Sequence, residues 1–292
     1  MEVIGFIGLG HMGGNMAARL LAAGHRVYGT SRHRDHAQSS IDAGLCWRDS
    51  AGDVTRAADI VFTSLPDDDA LELVAEAILP ALDANTTWVD VSTVSPALAR
   101  ELASRVRLQG AAMLDAPVSG SVPQVRAGAL TIMVGGSHAA YARVEPVLRR
   151  LGAPTHVGGH GHGQVLKLAI NISLAAQTLA FAEGLRLATR GGVRSEVALD
   201  VMTSSAIGSP ALRARAPLML DPPDEAWFDI GLMRKDIELA QATARELGIT
   251  LPATASADGV LRVAGRLGYD RHDLASLFQV LEQLPQPFVA IT

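Results

Sequence analysis

Three glycines near the start of the chain carry the most specific chemical signal in the sequence. They have the spacing G-x-G-x-x-G, follow the apolar stretch 3–7 and precede a segment with helical spacing. In that context the first glycine permits a tight turn, the second lets the backbone approach a dinucleotide pyrophosphate, and the third packs the helix on the strand. Free N–H groups at the helix start then face the phosphates. The predicted pyrophosphate-binding turn consists of Gly8, Leu9, Gly10, His11, Met12 and Gly13.

The residues after the second predicted strand distinguish the two nicotinamide cofactors. An enzyme that uses NAD usually has Asp or Glu there, which accepts a hydrogen bond from the ribose 2′-hydroxyl. Here Ser31 and Arg32 follow the strand, and Asp35 lies further on. A hydroxyl and a guanidinium both bind a 2′-phosphate, so the sequence favours NADP(H). The alternative is that Arg32 and Arg34 are solvated surface charges.

Lys167 is the predicted proton donor and acceptor. It lies near the start of the apolar segment 164–189, where a lysine is unusual. Desolvation lowers the pKa of a lysine, and such an ammonium can protonate a carbonyl oxygen while hydride reaches the carbon. Asn171 is four residues on, so the two side chains share one helix face. The alternative is a lysine whose stem covers apolar surface while its ammonium stays in water.

A turn of small residues over 115–121 is the third candidate, because it follows a predicted strand. Exposed N–H groups and a hydroxyl in such a turn can bind a carboxylate. An ordinary turn would have the same composition, so the residues alone leave both interpretations open.

The elements that must position these residues change character along the chain. The first half alternates between strands and helices, which indicates a parallel α/β sheet. Its predicted strands are 3–7, 26–30, 60–65, 87–91, 111–115 and 131–134. A flexible glycine hinge is predicted over 158–163. Beyond it the predicted helices are 164–189, 195–203, 210–220, 230–247, 252–265 and 273–284. The first of these is apolar on nearly every side, which predicts burial on nearly every side.

Composition limits the classes of function. A net charge of −5 argues against a broad basic surface for nucleic acid. No apolar run is predicted to span a bilayer, and the start shows no basic flank of a secretory signal, so we expect a cytoplasmic protein without a membrane partner. Cys46 is the single cysteine. His160 and His162 form the one close histidine pair, whereas a metal site needs three or four donors, so no metal is predicted.

These segments together resemble the β-hydroxyacid dehydrogenase family, which includes 3-hydroxyisobutyrate dehydrogenase, tartronate semialdehyde reductase and the glyoxylate/succinic semialdehyde reductases. The resemblance covers almost the whole chain. Its motifs lie in order at 5–13, 90–96, 115–121, 128–136, 161–171 and 232–236. The resemblance implies an α/β Rossmann domain over 1–160 that binds NADP. It also implies an all-α domain over 161–292 for substrate binding and dimerisation, with a long interdomain helix joining the two.

The resemblance also implies roles for individual residues. Lys167 is the catalytic acid/base, with Asn171 beside the reacting oxygen. The substrate carboxylate is bound by the turn residues Ser119, Gly120 and Ser121. Further cofactor contacts come from Leu65, Pro66, Thr93 and, in the C-terminal domain, Lys235. Family members are usually homodimers or homotetramers built on the helical domain.

The predicted activity is reversible hydride transfer between NADP(H) and a small β-hydroxy acid, with the corresponding semialdehyde or keto acid as the oxidised partner. An imine reductase is one alternative, but those enzymes typically carry Asp or Tyr where this chain has Lys167. A non-catalytic dinucleotide-binding protein is another, and the presence of Lys167, Asn171 and Ser119 argues against it.

Overall fold

The computed structural model of the chain describes residues 2–284, apart from the side chain of His36. The chain divides into two units, Met1–Lys167 and Leu168–Thr292. The division falls inside a long helix, so the boundary lies a few residues after the predicted one at 160. Each unit has its own apolar core.

The first unit is built on one sheet, in which six neighbouring strands are parallel in the order β3-β2-β1-β4-β5-β6. This is the predicted α/β arrangement. These strands are β1 (Ile4–Ile7), β2 (Val27–Thr30), β3 (Cys46–Trp47), β4 (Ile60–Thr63), β5 (Thr87–Asp90) and β6 (Ala112–Asp115).

The end of the sheet departs from the predicted parallel series. It contains β7 (Val118–Ser119), β8 (Leu130–Gly136) and β9 (Gly152–Gly158). β8 runs antiparallel to both β6 and β7, and parallel to β9. β7 and β8 are joined by one short helix and fold back on each other, so β8 cannot continue in the direction of β6. The prediction of a parallel strand at 131–134 was therefore correct in place and wrong in direction.

Helices cover both faces of this sheet. One face packs against α1 and α7 and the other against α3, α4 and α5, so strand residues such as Phe6 and Trp88 are fully buried on opposite sides. The helices are α1 (His11–Ala22), α2 (Gln38–Asp42), α3 (Ala51–Arg56), α4 (Asp68–Ile78), α5 (Pro96–Leu108), α6 (Val122–Ala127) and α7 (His138–Leu151).

The longest helix, α8 (His162–Arg190), begins in the first unit and continues through the second. Nine of its residues are exposed at intervals of three or four: His162, Leu166, Ala169, Ser173, Gln177, Ala180, Glu183, Leu187 and Arg190. The prediction of burial on nearly every side is therefore wrong within the described residues. The exposed stripe is composed mainly of small and polar residues, which the apolar average of the helix hides.

By length and composition, α8 would also suffice to cross a membrane, although 44% of its most apolar window is buried inside the protein. The prediction that no apolar run reaches that length is therefore wrong by this measure. A core helix of a soluble protein has the same two properties.

The second unit is otherwise made of shorter helices within the described residues. They are α9 (Ser195–Ser204), α10 (Pro210–Arg215), α11 (Ile230–Leu247), α12 (Pro252–Arg266) and α13 (Leu277–Glu282). The predicted helix 210–220 ends early as an α-helix and continues as a 3₁₀ turn over Ala216–Met219. Pro217 lacks the N–H that the regular helix would need there.

Asp273 fixes the segment that leads into α11. Its carboxylate accepts hydrogen bonds from the backbone N–H groups of Trp227, Phe228 and Ala275, and it pairs with Arg215. The side chains of the pair are only 7% and 0% exposed, respectively, for Arg215 and Asp273. A buried carboxylate with this many donors anchors the loop before α11.

Replacing Asp273 with asparagine leaves the Arg215 guanidinium buried without an anionic partner. Because removal of one member of a buried pair is strongly destabilising, we expect Asp273→Asn to lower the free energy of unfolding by about 3–5 kcal/mol. Urea unfolding of the full chain measures it. Asp53→Asn is the matched control, because Asp53 pairs with Arg56 on the surface and its loss should hardly move the midpoint. Equal shifts for both variants would contradict this account.

Candidate active site

The turn after β1 is built for close approach by a ligand. Gly8 has φ +94°, and a Cβ there would lie 2.2 Å from the Ser64 carbonyl oxygen. A Cβ on Gly13 would lie 2.0 Å from the Gly8 carbonyl oxygen, whereas the space beside Gly10 is open for 4 Å. α1 then begins at Gly10 without a side-chain cap and without an acidic residue in its first turn. The N–H groups at this helix start, including that of His11, are thus suited to bind a pyrophosphate.

Other predicted cofactor residues follow the neighbouring parallel strands at the same edge of the sheet. Ser31 and Arg32 follow β2, Leu65 and Pro66 follow β4, and Thr93 follows β5. Hydrogen bonds join these strand ends, because the N–H of Ser64 reaches the carbonyl of Ile7 at 3.0 Å and that of Val91 reaches Thr63 at 2.9 Å. Ser31 is half-buried and Arg32 exposed. The sheet therefore brings the sequence-predicted residues of the first unit to one edge.

The predicted carboxylate-binding turn follows β7. Ser119 is half-buried at the end of this strand, and Gly120 has φ +131°, a conformation that favours glycine. The backbone N–H of Ser121 donates to the side chain of Gln124 at 2.9 Å. That N–H already has a partner, so Ser119 and Gly120 offer the more available groups for a ligand.

Asp90 is a functional candidate that the sequence analysis missed. It is fully buried at the end of β5, where Oδ1 accepts hydrogen bonds from the hydroxyls of Thr63 at 2.7 Å and Ser92 at 2.6 Å. The Ser92 hydroxyl oxygen in turn accepts the N–H of Leu65 at 2.9 Å. Oδ2 has no hydrogen-bond partner within the described part of the chain. Burial raises the pKa of Asp90 to about 6, although the two hydroxyls act in the opposite direction.

Asp115 occupies the matching position on the next strand, where it is paired in register with Asp90. Its carboxylate oxygens accept the backbone N–H groups of Gly161 at 2.8 Å and Gln164 at 3.2 Å. Burial raises its pKa, and these two hydrogen bonds oppose the increase. The segment 158–163, predicted as a flexible hinge, is therefore a hydrogen-bonded turn that fastens the start of α8 to the sheet.

Lys167 lies one turn further along α8 and is half-buried. Gln164, at the start of the same helix, is completely buried and joins it to the loop after β5. Its amide donates to the carbonyl of Ser92 at 3.0 Å and accepts the N–H of Val94 at 3.2 Å. These two residues flank Thr93. Sequence reasoning missed Gln164, although a polar side chain in the first turn of an apolar helix was a signal for it.

In the second unit, two predicted residues meet on a carboxylate that was not predicted. Asn171 is buried on α8, and its amide donates to Asp236 Oδ2 at 2.5 Å. The ammonium of Lys235 lies 3.0 Å from Asp236 Oδ1. Asp236 is 2% exposed. Its position next to Lys235 in the 232–236 motif was the available signal, and its buried carboxylate links Asn171 with Lys235.

Two family models together match most of the chain. Residues 3–161 match the NAD binding domain of 6-phosphogluconate dehydrogenase, and residues 161–281 match the NAD-binding model of NADP-dependent 3-hydroxyisobutyrate dehydrogenase. The chain belongs to the β-hydroxyacid dehydrogenase family. The family and fold class predicted from the sequence are confirmed. This dehydrogenase is an oxidoreductase that uses a nicotinamide dinucleotide.

Three curated relatives of this dehydrogenase are each 34% identical to it. They are 2-(hydroxymethyl)glutarate dehydrogenase of Eubacterium barkeri (96% of this chain, 95% of the relative), NAD-dependent L-serine dehydrogenase of Pseudomonas aeruginosa (98% and 99%) and 2-hydroxy-3-oxopropionate reductase of Escherichia coli (96% and 97%).

Solved structures agree with this assignment. The Mycobacterium tuberculosis 3-hydroxyisobutyrate dehydrogenase with L-serine has a TM-score of 0.85 at 31% identity, covering 96% of this chain and 99% of that one. A structure of Psf3 in complex with NADP+ and 2-OPP has a TM-score of 0.87 at 28% identity, covering 96% and 100%.

The buried Asp90 gives this dehydrogenase a pH-dependent stability. Its folded pKa of about 6 lies above the ordinary 3.8, so the stability it contributes is present below that value and lost as pH rises through the folded pKa. We expect the free energy of unfolding to fall relative to that of Asp90→Asn between about pH 4 and about pH 7, by roughly 3 kcal/mol for a shift of about two units. Urea unfolding at both pH values measures it.

Asp42→Asn, which changes an exposed carboxylate, is the control and should follow the wild type at both pH values. A constant difference between wild type and Asp90→Asn across the range would show that Asp90 keeps its charge in the folded protein.

Proposed function

We propose that this dehydrogenase transfers hydride reversibly between NADP(H) and a small acid whose carboxylate-bearing carbon also carries a hydroxymethyl group. The names of the relatives support this substrate class. 2-(Hydroxymethyl)glutarate and L-serine both contain a hydroxymethyl group on the carbon next to the carboxylate, and 2-hydroxy-3-oxopropionate contains the aldehyde at that position. The remaining substituent differs among the three, so the shared core defines the class.

In the proposed reaction, Lys167 exchanges a proton with the hydroxyl or carbonyl oxygen of the substrate, with Asn171 beside that oxygen. Ser119, Gly120 and Ser121 receive the carboxylate and so orient the reacting carbon. The bound nicotinamide supplies or accepts the hydride.

The observation that carries the proposal is the attachment of the Lys167 segment to the cofactor edge of the sheet. Gln164, three residues before Lys167, bonds to the backbone on both sides of Thr93. Thr93 follows β5, at the edge where the glycine turn follows β1. A titratable amine is therefore fastened next to the strand ends that would hold the nicotinamide, as proton transfer during hydride transfer requires.

Lys167→Ala tests the proton-transfer role. Because general acid–base catalysis contributes typically 10²–10⁴-fold, we expect kcat to fall by about that factor. NADPH binding should persist, since the glycine turn is unchanged. The measurement is NADPH oxidation with glyoxylate and with succinic, methylmalonic, tartronic and sulfonated semialdehydes. Arg190→Ala removes a cation from the exposed far end of the same helix and should leave kcat unchanged.

Retained turnover by Lys167→Ala with intact NADPH binding would contradict the role of Lys167. A cyclic imine belongs in the same panel, because turnover far above that of every semialdehyde would indicate an imine reductase. NADPH binding by the wild type without turnover of any compound would indicate a non-catalytic dinucleotide-binding protein.

The proposal of NADP(H) rests on the residues after β2. Ser31 and Arg32 follow the strand end, and no carboxylate stands among residues 28–34 to accept a bond from a ribose 2′-hydroxyl. The guanidinium of Arg34 lies over the Trp47 ring, 5.4 Å from its centroid, which keeps a second cation near this end of the sheet. The NADP+ bound in the Psf3 complex is consistent with this cofactor, whereas the L-serine dehydrogenase is named NAD-dependent.

Arg32→Ala tests the cofactor. Loss of a charge-assisted hydrogen bond costs about 1.5–3 kcal/mol, so we expect the Kd of NADPH to rise at least about tenfold while that of NADH stays the same. Arg56→Ala removes an exposed cation elsewhere in the first unit and serves as the control. Equal weakening of NADPH and NADH would show that Arg32 does not recognise the 2′-phosphate.

A further inference from the structure

The pocket around Asp115 is made by missing side chains. A Cβ on Gly135 would lie 2.6 Å from one carboxylate oxygen of Asp115, and a Cβ on Gly163 would lie 2.8 Å from the other. The glycines thus leave room for a carboxylate between β8 and the first turn of α8. The N–H groups of Gly161 and Gln164 fill its acceptor sites.

This attachment differs from the way the other helices of the unit begin. α4 and α5 are capped by the adjacent side chains of Asp67 and Ser95, which need no distant partner. The start of α8 instead receives its acceptor from Asp115, 46 residues earlier in the chain. A local cap would satisfy the helix end equally well, but only the distant carboxylate ties that end to the sheet.

Gln164 makes the second attachment. Its carboxamide has one donor and one acceptor directed at the backbone of residues 92 and 94, so it fixes both sides of Thr93. With 0% exposure, it has no water to replace these bonds. The two bonds contribute nothing to capping the helix, which Asp115 already does.

We infer that Asp115 and Gln164 are positioning residues, which together set where Lys167 stands relative to Thr93. Asp115 fixes the start of α8 on β6, and Gln164 fixes it to the loop after β5. Lys167 follows within one turn, where a rigid helix transmits the position of its start. The inference rests on the proposed role of Lys167 and goes beyond it by assigning the residues that make its geometry.

Gln164→Met and Asp115→Asn test the inference. Methionine keeps the length of the side chain without its hydrogen bonds, and asparagine offers only one acceptor to two N–H donors. We expect kcat to fall at least about tenfold in both variants, with KM and the Kd of NADPH within about twofold of wild type, because misplacement of a catalytic group acts on the reaction step. Gln177→Met, on the exposed stripe of the same helix, is the control and should match the wild type.

Gln164→Glu gives a readout that a merely structural role would not move. The introduced carboxyl can donate to the Ser92 carbonyl only when it is protonated, so the ratio of its kcat to that of wild type should rise as pH falls. The neighbouring ionisable groups Asp90, Asp115 and His160 are the same in both proteins, and the ratio removes their effect. Because a single protein is compared across pH, this test holds even if Gln164→Met fails to fold.

Amide hydrogen exchange separates failure of this inference from failure of the proposed function. Peptides covering 92–95 and 161–167 should exchange faster in Gln164→Met and Asp115→Asn than in Gln177→Met, whatever the substrate. Faster exchange with unchanged kcat would overturn the positioning role, and so would a pH-independent ratio for Gln164→Glu. Full activity of Lys167→Ala would instead overturn the proposed function.

Discussion

Asp115 places a carboxylate inside the protein at the end of β6, and much of the candidate site follows from that placement. An ionised carboxylate in such surroundings must receive hydrogen bonds, and here two backbone N–H groups at the start of α8 supply them. Those N–H groups reach it only because Gly135 and Gly163 carry no side chain. The strand end, the glycines and the helix start therefore depend on one another, and changing any of them would release the segment that carries Lys167.

The neighbouring carboxylate, Asp90, shows how different partners give the same residue type different properties. It accepts from two hydroxyls through one oxygen and keeps the other without a partner in the described structure. That second oxygen can hold a proton, which agrees with the pKa of about 6 caused by burial. Asp115 instead faces N–H donors on both oxygens, which favours its charged form. The edge of the sheet thus combines a carboxylate that fastens a helix with one that orders the loop before Thr93.

Local patterns in the sequence predicted what depends on local physics. The six predicted strands all exist, and the predicted helix over 230–247 has the observed bounds of α11. The short strands β3, β7 and β9 were missed, because two-residue strands have no periodicity and β9 begins and ends with glycine. In the site, the partners of the predicted residues were missed. Gln164 contacts residues 70 and 72 positions away, and Asn171 and Asp236 are 65 apart, distances at which hydrophobic spacing carries no information about pairing.

The distribution of basic residues supports a chemical role for Lys167 from an independent direction. Of the 25 lysine and arginine residues, only Lys167 and Lys235 are lysines. Arginine serves at every other basic position, so a requirement for positive charge alone does not explain a lysine at these two. The guanidinium stays protonated in proteins, whereas an amine can lose its proton and is a compact donor. Lys235 uses that compact ammonium beside Asp236. At Lys167, on a turn anchored by Asp115 and Gln164, the property that arginine lacks is the ability to exchange a proton with a substrate oxygen.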